Sequence, residues 1–298
     1  MNSCPICQKN GTGDFCEKDG WIYCHCYYCD CLFLTDYTNR TNLDLYYKKD
    51  FQYSFDNLTK KRVINIANEV LLKLLNINPR GSNLLDIGSG HGYILEEAKK
   101  KNISPLGIEP SLKLYKETEG KSSVMNMNLD EFSKKNILKF DFITLSHVIE
   151  HLQNINILPD MLDKILNDNG IIFIETPNYD SWLRRIEKCE YIFLTPPDHT
   201  YVLSIKTIQE IFKRKKWKII FKTTFSYPEH LIGILRRLKY TFAKETKFIK
   251  VPNQHSRHQK AVVKKRNNIV ELLAPGLTNL LNFRNMGSIM QIYIRKIS

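Results

Sequence analysis

The stretch Asn83-Leu-Leu-Asp86-Ile-Gly88-Ser89-Gly90-His-Gly92 decides the fold. It opens as a short apolar run of strand length, and from Tyr93 to Lys101 the composition turns to helix formers. The glycines therefore fall at a strand-to-helix junction, where alternate glycines let the backbone approach a ligand closely. The spacing is G-x-G-x-G, which departs from the G-x-G-x-x-G of dinucleotide-binding folds. No lysine follows it in the manner of a P-loop.

Outward from this loop, Ser104-Pro-Leu-Gly-Ile-Glu109 reads as a second apolar strand that ends in a carboxylate. In doubly wound folds such an acid grips ribose hydroxyls. A third strand is expected near Val124, a fourth over Phe140 to Ser146, a fifth over Gly170 to Pro177, a sixth over Trp217 to Phe225 and a seventh over Gly287 to Lys296. Helices are expected over Asn57 to Leu75, Tyr179 to Glu190 and Ser204 to Lys215, with Ser204 as the cap of the last. This alternation predicts an α/β fold, a doubly wound, Rossmann-like sheet of seven strands.

The chain has 298 residues, 43% of them hydrophobic, and a mean hydropathy of −0.33. Those values exclude wholesale disorder and an integral membrane protein. The 44 Lys and Arg against 31 Asp and Glu give a formal charge of +13, but the excess is local. Residues 1 to 59 hold five basic and eight acidic side chains, whereas 236 to 266 hold eleven basic ones and a single acid, Glu245. A basic chain raises nucleic acid as a partner, and an acidic N-terminal region argues against it.

Seven of the eight cysteines lie between Cys4 and Cys31. With no basic segment followed by an apolar run at the N-terminus, a secretory signal is not expected and the thiols should stay reduced in the cytoplasm. Cys4-Pro-Ile-Cys7 and Cys26-Tyr-Tyr-Cys29 form C-x2-C-x18-C-x2-C, the spacing of a four-thiolate structural zinc site. Cys16, Cys24, His25 and Cys31 are close enough in sequence to substitute as ligands. A module over 1–50 and a catalytic domain over 51–298, with a basic insertion at about 229–285, are the expected organisation.

The ordered motifs resemble the class I S-adenosylmethionine-dependent methyltransferases over about residues 60 to 225. Leu85 to Gly92 is similar to their first motif and Gly107-Ile-Glu109-Pro110 to the end of their second strand. Phe140 to His147, Val148 to Leu152 and Gly170 to Asn178 are similar to the fourth strand, the following helix start and the fifth strand. The resemblance implies that Asp86 and the backbone of Gly88, Ser89, Gly90 and Gly92 hold the methionine part of S-adenosylmethionine, and that Glu109 holds the ribose. It further implies that Asn128 and Leu129 flank the adenine while Ser146 and His147 close the site. His147-Val-Ile-Glu150-His151 is also formally H-x-x-E-H, a zinc-hydrolase pattern, but it falls where the methyltransferase pattern expects a sequence of its own.

In similar methyltransferases a histidine before the helix expected over Ser204 to Lys215 lies near the acceptor, which makes His199 the candidate general base. An N-terminal four-cysteine module, a Tyr46-Tyr47 segment and this core together resemble bacterial methyltransferases of glycan and sugar biosynthesis. The resemblance implies a small-molecule or glycan acceptor, such as a sugar or lipid-linked saccharide, methylated at a hydroxyl. An RNA methyltransferase with an N-terminal zinc module is the rival reading. The run from His230 to Phe242 has apolar residues at helical spacing with basic ones beside them, so 230–266 is a candidate for peripheral contact with an anionic membrane surface.

Overall fold

The computed structural model describes residues 3–35, 54–119, 123–135, 138–213, 217–227 and 282–296. The chain begins with three antiparallel strands, β1 (Thr12–Lys18), β2 (Trp21–Cys26) and β3 (Cys31–Leu34). Helix α1 (Asn57–Ile77) follows. Asp56 caps it by accepting from the Thr59 amide at 2.8 Å, and Ala67, Val70, Leu71 and Leu74 form its buried stripe at helical spacing.

Strand β4 (Asn83–Ile87) then leads through the glycine loop into α2 (Tyr93–Lys100), β5 (Ser104–Ile108), α3 (Leu112–Thr118), the two-residue β6 (Val124–Met125) and α4 (Leu129–Lys135). Strand β7 (Phe140–Ser146), α5 (Leu158–Ile165) and β8 (Leu166–Pro177) complete the parallel part. Next come α6 (Trp182–Glu187), β9 (Tyr201–Val202), α7 (Ile205–Phe212), β10 (Trp217–Phe225) and β11 (Ile289–Lys296).

Seven strands form one sheet in the order β10-β11-β8-β7-β4-β5-β6, with β11 antiparallel to both of its neighbours. This is the expected fold class. The strands β4 and β7 are buried along most of their length because helices cover both faces. Gly107 shows how closely they do so: a Cβ there would stand 2.8 Å from Leu95 Cδ1 and from Ser89 Oγ. Only a glycine lets α2 and the loop lie flat on β5.

The second sheet, β1-β2-β3-β9, joins the cysteine-rich segment to the α/β core, because β9 pairs antiparallel with β3 through Leu32↔Val202 and Phe33↔Tyr201. Tyr23, Leu32, Leu34, Tyr179, Tyr191 and Val202 pack into one buried cluster across that junction. The Tyr179 to Glu190 helix is shorter than the sequence suggests: Ser181 caps it, and it breaks at Lys188, whose φ is +49°. Ser204 caps α7 in a reciprocal pair with Thr207. The expected boundary near residue 50, Tyr46, Tyr47, the 230–266 segment and nearly all of 229–285 lie outside the described residues. Among the described residues, no helix is long and apolar enough to cross a membrane.

Phe142 is fully buried at the centre of the sheet and packs with Leu84, Leu95, Phe173 and Tyr293. Phe142→Ala should lower unfolding stability by about 3–5 kcal/mol, read as a drop in the urea midpoint. A midpoint unchanged from the parent would contradict this placement of the core.

Candidate active site

The carboxyl ends of β4, β5, β7 and β8 open into a cavity of about 800 Å³. Parallel sheets bind ligands at this edge because the strand ends and the helix starts face the same crevice. Asp86, Gly88, Ser89, Glu109, Pro110, Asn128, Leu129, Ser146, His147 and His199 all line it. The other two expected residues sit behind the wall. The Gly90 amide donates to Glu109 Oε2 at 2.8 Å, and Gly92, with φ +78°, is the N-cap of α2.

The glycine loop keeps the close approach that its sequence suggests. Gly88 has φ +68°, and a Cβ on it would stand 2.6 Å from Val148 Cγ2. Glu109 is held at both oxygens, since Oε1 accepts from the Ser111 amide at 2.8 Å, and Asn126 anchors its carbonyl at 2.8 Å. Burial raises the Glu109 pKa, and the two amides limit that rise. Asp86 is almost fully buried; burial pushes it up to about 7, against the Thr144 hydroxyl that donates to Oδ1 at 2.6 Å.

The residues fit S-adenosylmethionine on their own chemistry. Ser89 Oγ is buried with no hydrogen-bond partner among the described residues, and such an atom is costly unless a ligand meets it. Beside it lie bare loop backbone, a carboxyl poised to ionise near a cation, and the amide-braced Glu109.

On the other side of the cavity the histidines are arranged around Glu150, which is fully buried. Its Oε1 lies 3.0 Å from His147 Nδ1, and its Oε2 accepts from the Thr176 hydroxyl at 3.0 Å. Burial opposes the charge, but His147 and the other histidines outweigh it and hold Glu150 at about 2. His147 has φ +53°, an uncommon backbone state for a side-chain-bearing residue, and its Nε2 lies 3.6 Å from Glu175 Oε1. Burial works against its protonation, yet the Glu150 hydrogen bond prevails and raises its pKa.

His151 and His199 form a second, more unequal pair. Their rings meet edge to face at 4.7 Å. His151 Nδ1 lies 2.9 Å from the Asp198 carbonyl and 3.3 Å from Asp198 Oδ1. Burial disfavours its charge, but Asp198 more than compensates and brings it up to about 9. His199 has no such carboxylate bond. Burial and the charge of His151 push it down to about 4, and its Nδ1 lies 2.7 Å from the Phe193 carbonyl. A carbonyl can only accept, so Nδ1 carries the proton and the lone pair lies on Nε2.

Glu150, His151, Asp198, Glu175 and Thr176 were not expected as site residues. In the sequence Glu150 and His151 fall within both the Val148 to Leu152 motif and the H-x-x-E-H string, neither of which assigns them a role at the site. One ligand atom from each of Glu150, His151 and His199 does lie within 4.8 Å of the others, a spacing open to a cation. Among the described lining residues there is no lysine or arginine.

The four expected cysteines converge. Single sulfurs of Cys4, Cys7, Cys26 and Cys29 all lie within 4.8 Å of one another, with Cys4–Cys29 at 3.7 Å and Cys7–Cys26 at 3.6 Å. Zinc–sulfur bonds of about 2.3 Å in a tetrahedron require sulfurs about 3.8 Å apart, so the donor set fits zinc. Cys31 also belongs to the cluster, 3.6 Å from Cys29 and 3.9 Å from Cys4. Hydrogen bonds from Cys29 and Cys31 hold the Cys4 thiol well below its ordinary range. The remaining candidates have other partners: Cys24 donates to Asp14, Cys16 lies against Cys189, and His25 shares a 2.7 Å hydrogen bond with Tyr179.

This architecture has known counterparts. The chain is similar to a structure described as a SAM-dependent methyltransferase from Archaeoglobus fulgidus, with 22% identity, 78% of this chain and 94% of that one covered, and a TM-score of 0.51. It is also similar to ubiquinone biosynthesis O-methyltransferases. That of Coxiella burnetii is 24% identical over 48% of this chain and 65% of its own length. The mitochondrial one of Dictyostelium discoideum is 30% identical over 46% and 49%. The chain thus spans less than two thirds of the length of these relatives. The profile of a family described as a methyltransferase domain matches residues 60–220, more than half of the chain and most of the residues that line the cavity. The chain therefore belongs to this methyltransferase-domain family.

Proposed function

We propose that the enzyme methylates a hydroxyl of a small-molecule or glycan acceptor, such as a sugar or lipid-linked saccharide, with His199 as the general base. The observation that carries this reading is the Nδ1 bond from His199 to the Phe193 carbonyl, which leaves a neutral ring with its lone pair on Nε2 in the cavity wall. The naming of the relatives as O-methyltransferases supports oxygen as the accepting atom. A cavity whose described lining lacks lysine and arginine favours an uncharged acceptor over an RNA backbone.

S-Adenosylmethionine supplies a methyl group on a sulfonium, so the transfer needs in-line positioning more than strong acid or base. In this reading Asp86 and the loop Gly88 to Gly92 hold the methionine part. Glu109 and Pro110 bound the ribose, and Asn128 and Leu129 the adenine. Ser146 and His147, tied to Glu175 and Glu150, close the site from β7. His199 Nε2 would accept the hydroxyl proton as the acceptor oxygen replaces sulfur at the methyl carbon, the S–CH3 bond breaking and the cofactor leaving as a neutral thioether. Cys4, Cys7, Cys26 and Cys29 hold a structural zinc, which leaves that metal no open position for chemistry.

Three measurements test these assignments. Titration calorimetry should show S-adenosylmethionine binding that Gly90→Arg abolishes. Because burial raises Asp86 to about 7 and a cationic ligand prefers its ionised form, affinity should increase from about pH 6 to about pH 8, by up to about tenfold per unit. Asp86→Asn should flatten that rise. For the acceptor, labelled methyl groups should appear in cell-envelope saccharides, with transfer reduced roughly 10²- to 10⁴-fold in His199→Ala; robust labelling of total RNA instead would overturn the proposal. Elemental analysis should find about one zinc per chain, and Cys26→Ser should lose it.

A further inference from the structure

The backbone of His199 is held by the cysteine-rich segment. Tyr23, fully buried on β2, donates its hydroxyl to the His199 carbonyl at 2.7 Å. One residue further on, the Leu34 amide donates to the Thr200 carbonyl at 2.9 Å, and Tyr201 and Val202 then pair with β3. Beyond β9 the same segment receives the cap of α7, since Ser204 Oγ and Thr207 Oγ1 donate to the Cys29 carbonyl at 3.0 and 2.7 Å. On its opposite side the strip is bonded to the core: the Thr200 amide and hydroxyl both donate to the Glu150 carbonyl at 2.9 Å.

We infer that Tyr23 is a positioning residue for His199, acting through the peptide carbonyl to keep the imidazole on the Phe193 carbonyl and its Nε2 directed to the acceptor side. This rests on the reading of His199 as the base. Three points fix that histidine: its amide donates to the Thr195 carbonyl at 3.0 Å, its carbonyl accepts from Tyr23, and its Nδ1 donates to the Phe193 carbonyl. The last bond chooses the tautomer, but a single bond lets a ring pivot. The first two set the peptide planes from which the ring projects. Without the Tyr23 hydroxyl the His199 carbonyl loses a partner that is itself fully buried, and the peptide must turn to find another. The ring would then leave the Phe193 carbonyl.

The groups facing His199 are His151 at 4.7 Å, Phe193 stacked at 6.2 Å, and the charges of Glu150 and Asp198. None of them touches Tyr23 Oη in the hydrogen bonds described. The Tyr23→Phe substitution removes one oxygen and keeps the buried ring, so it perturbs the link with little loss of volume.

The experiment uses the full chain labelled with ¹⁵N-histidine and needs no acceptor. In the parent protein, imidazole ¹⁵N–¹H correlation spectra, assigned through His199→Gln, should show His199 as a single tautomer protonated at Nδ1 and neutral through pH 6. In Tyr23→Phe the Nε2-protonated form should appear, and the titration midpoint should move up by about one unit or more as the ring leaves its buried site. Tyr293→Phe, an equal deletion on β11, should leave the spectrum as in the parent. Superimposable His199 signals in parent and Tyr23→Phe would overturn the inference, as would the same shift in Tyr293→Phe. Calorimetry with S-adenosylmethionine on the same samples separates the claims. Unchanged affinity with an altered His199 supports the positioning role, whereas absent binding in the parent would defeat the proposed function and leave the Tyr23 link standing.

Discussion

A single buried carboxylate organises this molecule. Glu150 has no exposed surface, and an ion so placed is costly unless every lone pair is met. Here the carboxylate is matched by His147 and by Thr176, and its own backbone carbonyl by the amide and hydroxyl of Thr200. Those bonds reach β7, β8 and the strip before β9, which is to say the cofactor edge, the central sheet and the junction with the cysteine-rich segment. Replacement by an apolar residue would strand two buried donors at once, the His147 ring and the Thr176 hydroxyl. The unusual φ of His147 is maintained for the same reason, because the turn that strains its backbone brings its ring onto Glu150.

The distribution of charge follows a similar logic on a larger scale. A chain of +13 keeps lysine and arginine off the described wall of its cavity, which carries Asp86, Glu109, Asp130, Glu175 and Asp198. Cationic sulfonium and ammonium groups are favoured there, and fixed protein cations would compete with them. Two histidines on that wall, His147 and His151, are pushed toward the charged form against burial by Glu150 and Asp198 respectively. Charge is thus supplied residue by residue, which is how one cavity can carry an imidazolium and a neutral imidazole side by side.

Much of this was readable from the chain because the signals are local. The run from Asn83 to Gly92, the acid that ends β5 and the apolar strands of the sheet each announce themselves within about ten residues, and the fold follows from their order. The paired C-x2-C turns are local in the same sense, and their sulfurs meet. What could not be read depends on partners distant in sequence. Two residues, Tyr201 and Val202, carry no strand signal of their own and become β9 only because Leu32 and Phe33 are there to pair with them. Cys31 is one of four nearby residues that the sequence leaves open as substitute ligands, and only the turn at Asp30, with φ +55°, singles it out by bringing it into the sulfur cluster. Glu150 and His151 were legible as part of the Val148 to Leu152 motif but their ionisation was not, since the burial and partners that set it are products of the whole fold.

That dependence is clearest in the two histidines beside Glu150. By sequence alone His151 and His199 are the same residue type with the same ordinary pKa, and nothing local distinguishes the ring that favours its charge from the one that does not. Asp198 faces Nδ1 of one, while a backbone carbonyl faces Nδ1 of the other. The carboxylate stabilises a charge that burial would forbid, and that charge then suppresses protonation of its neighbour 4.7 Å away. Separated protonation states are what acid–base chemistry at neutral pH requires of a pair of like groups. The separation here is produced by an asymmetry of one side chain, Asp198, which immediately precedes His199 in the chain yet serves His151. The segment that presents both residues is clamped between Glu150 on the core side and β2 and β3 on the other. The difference between the two rings is therefore a property of how the cysteine-rich segment and the methyltransferase core are joined.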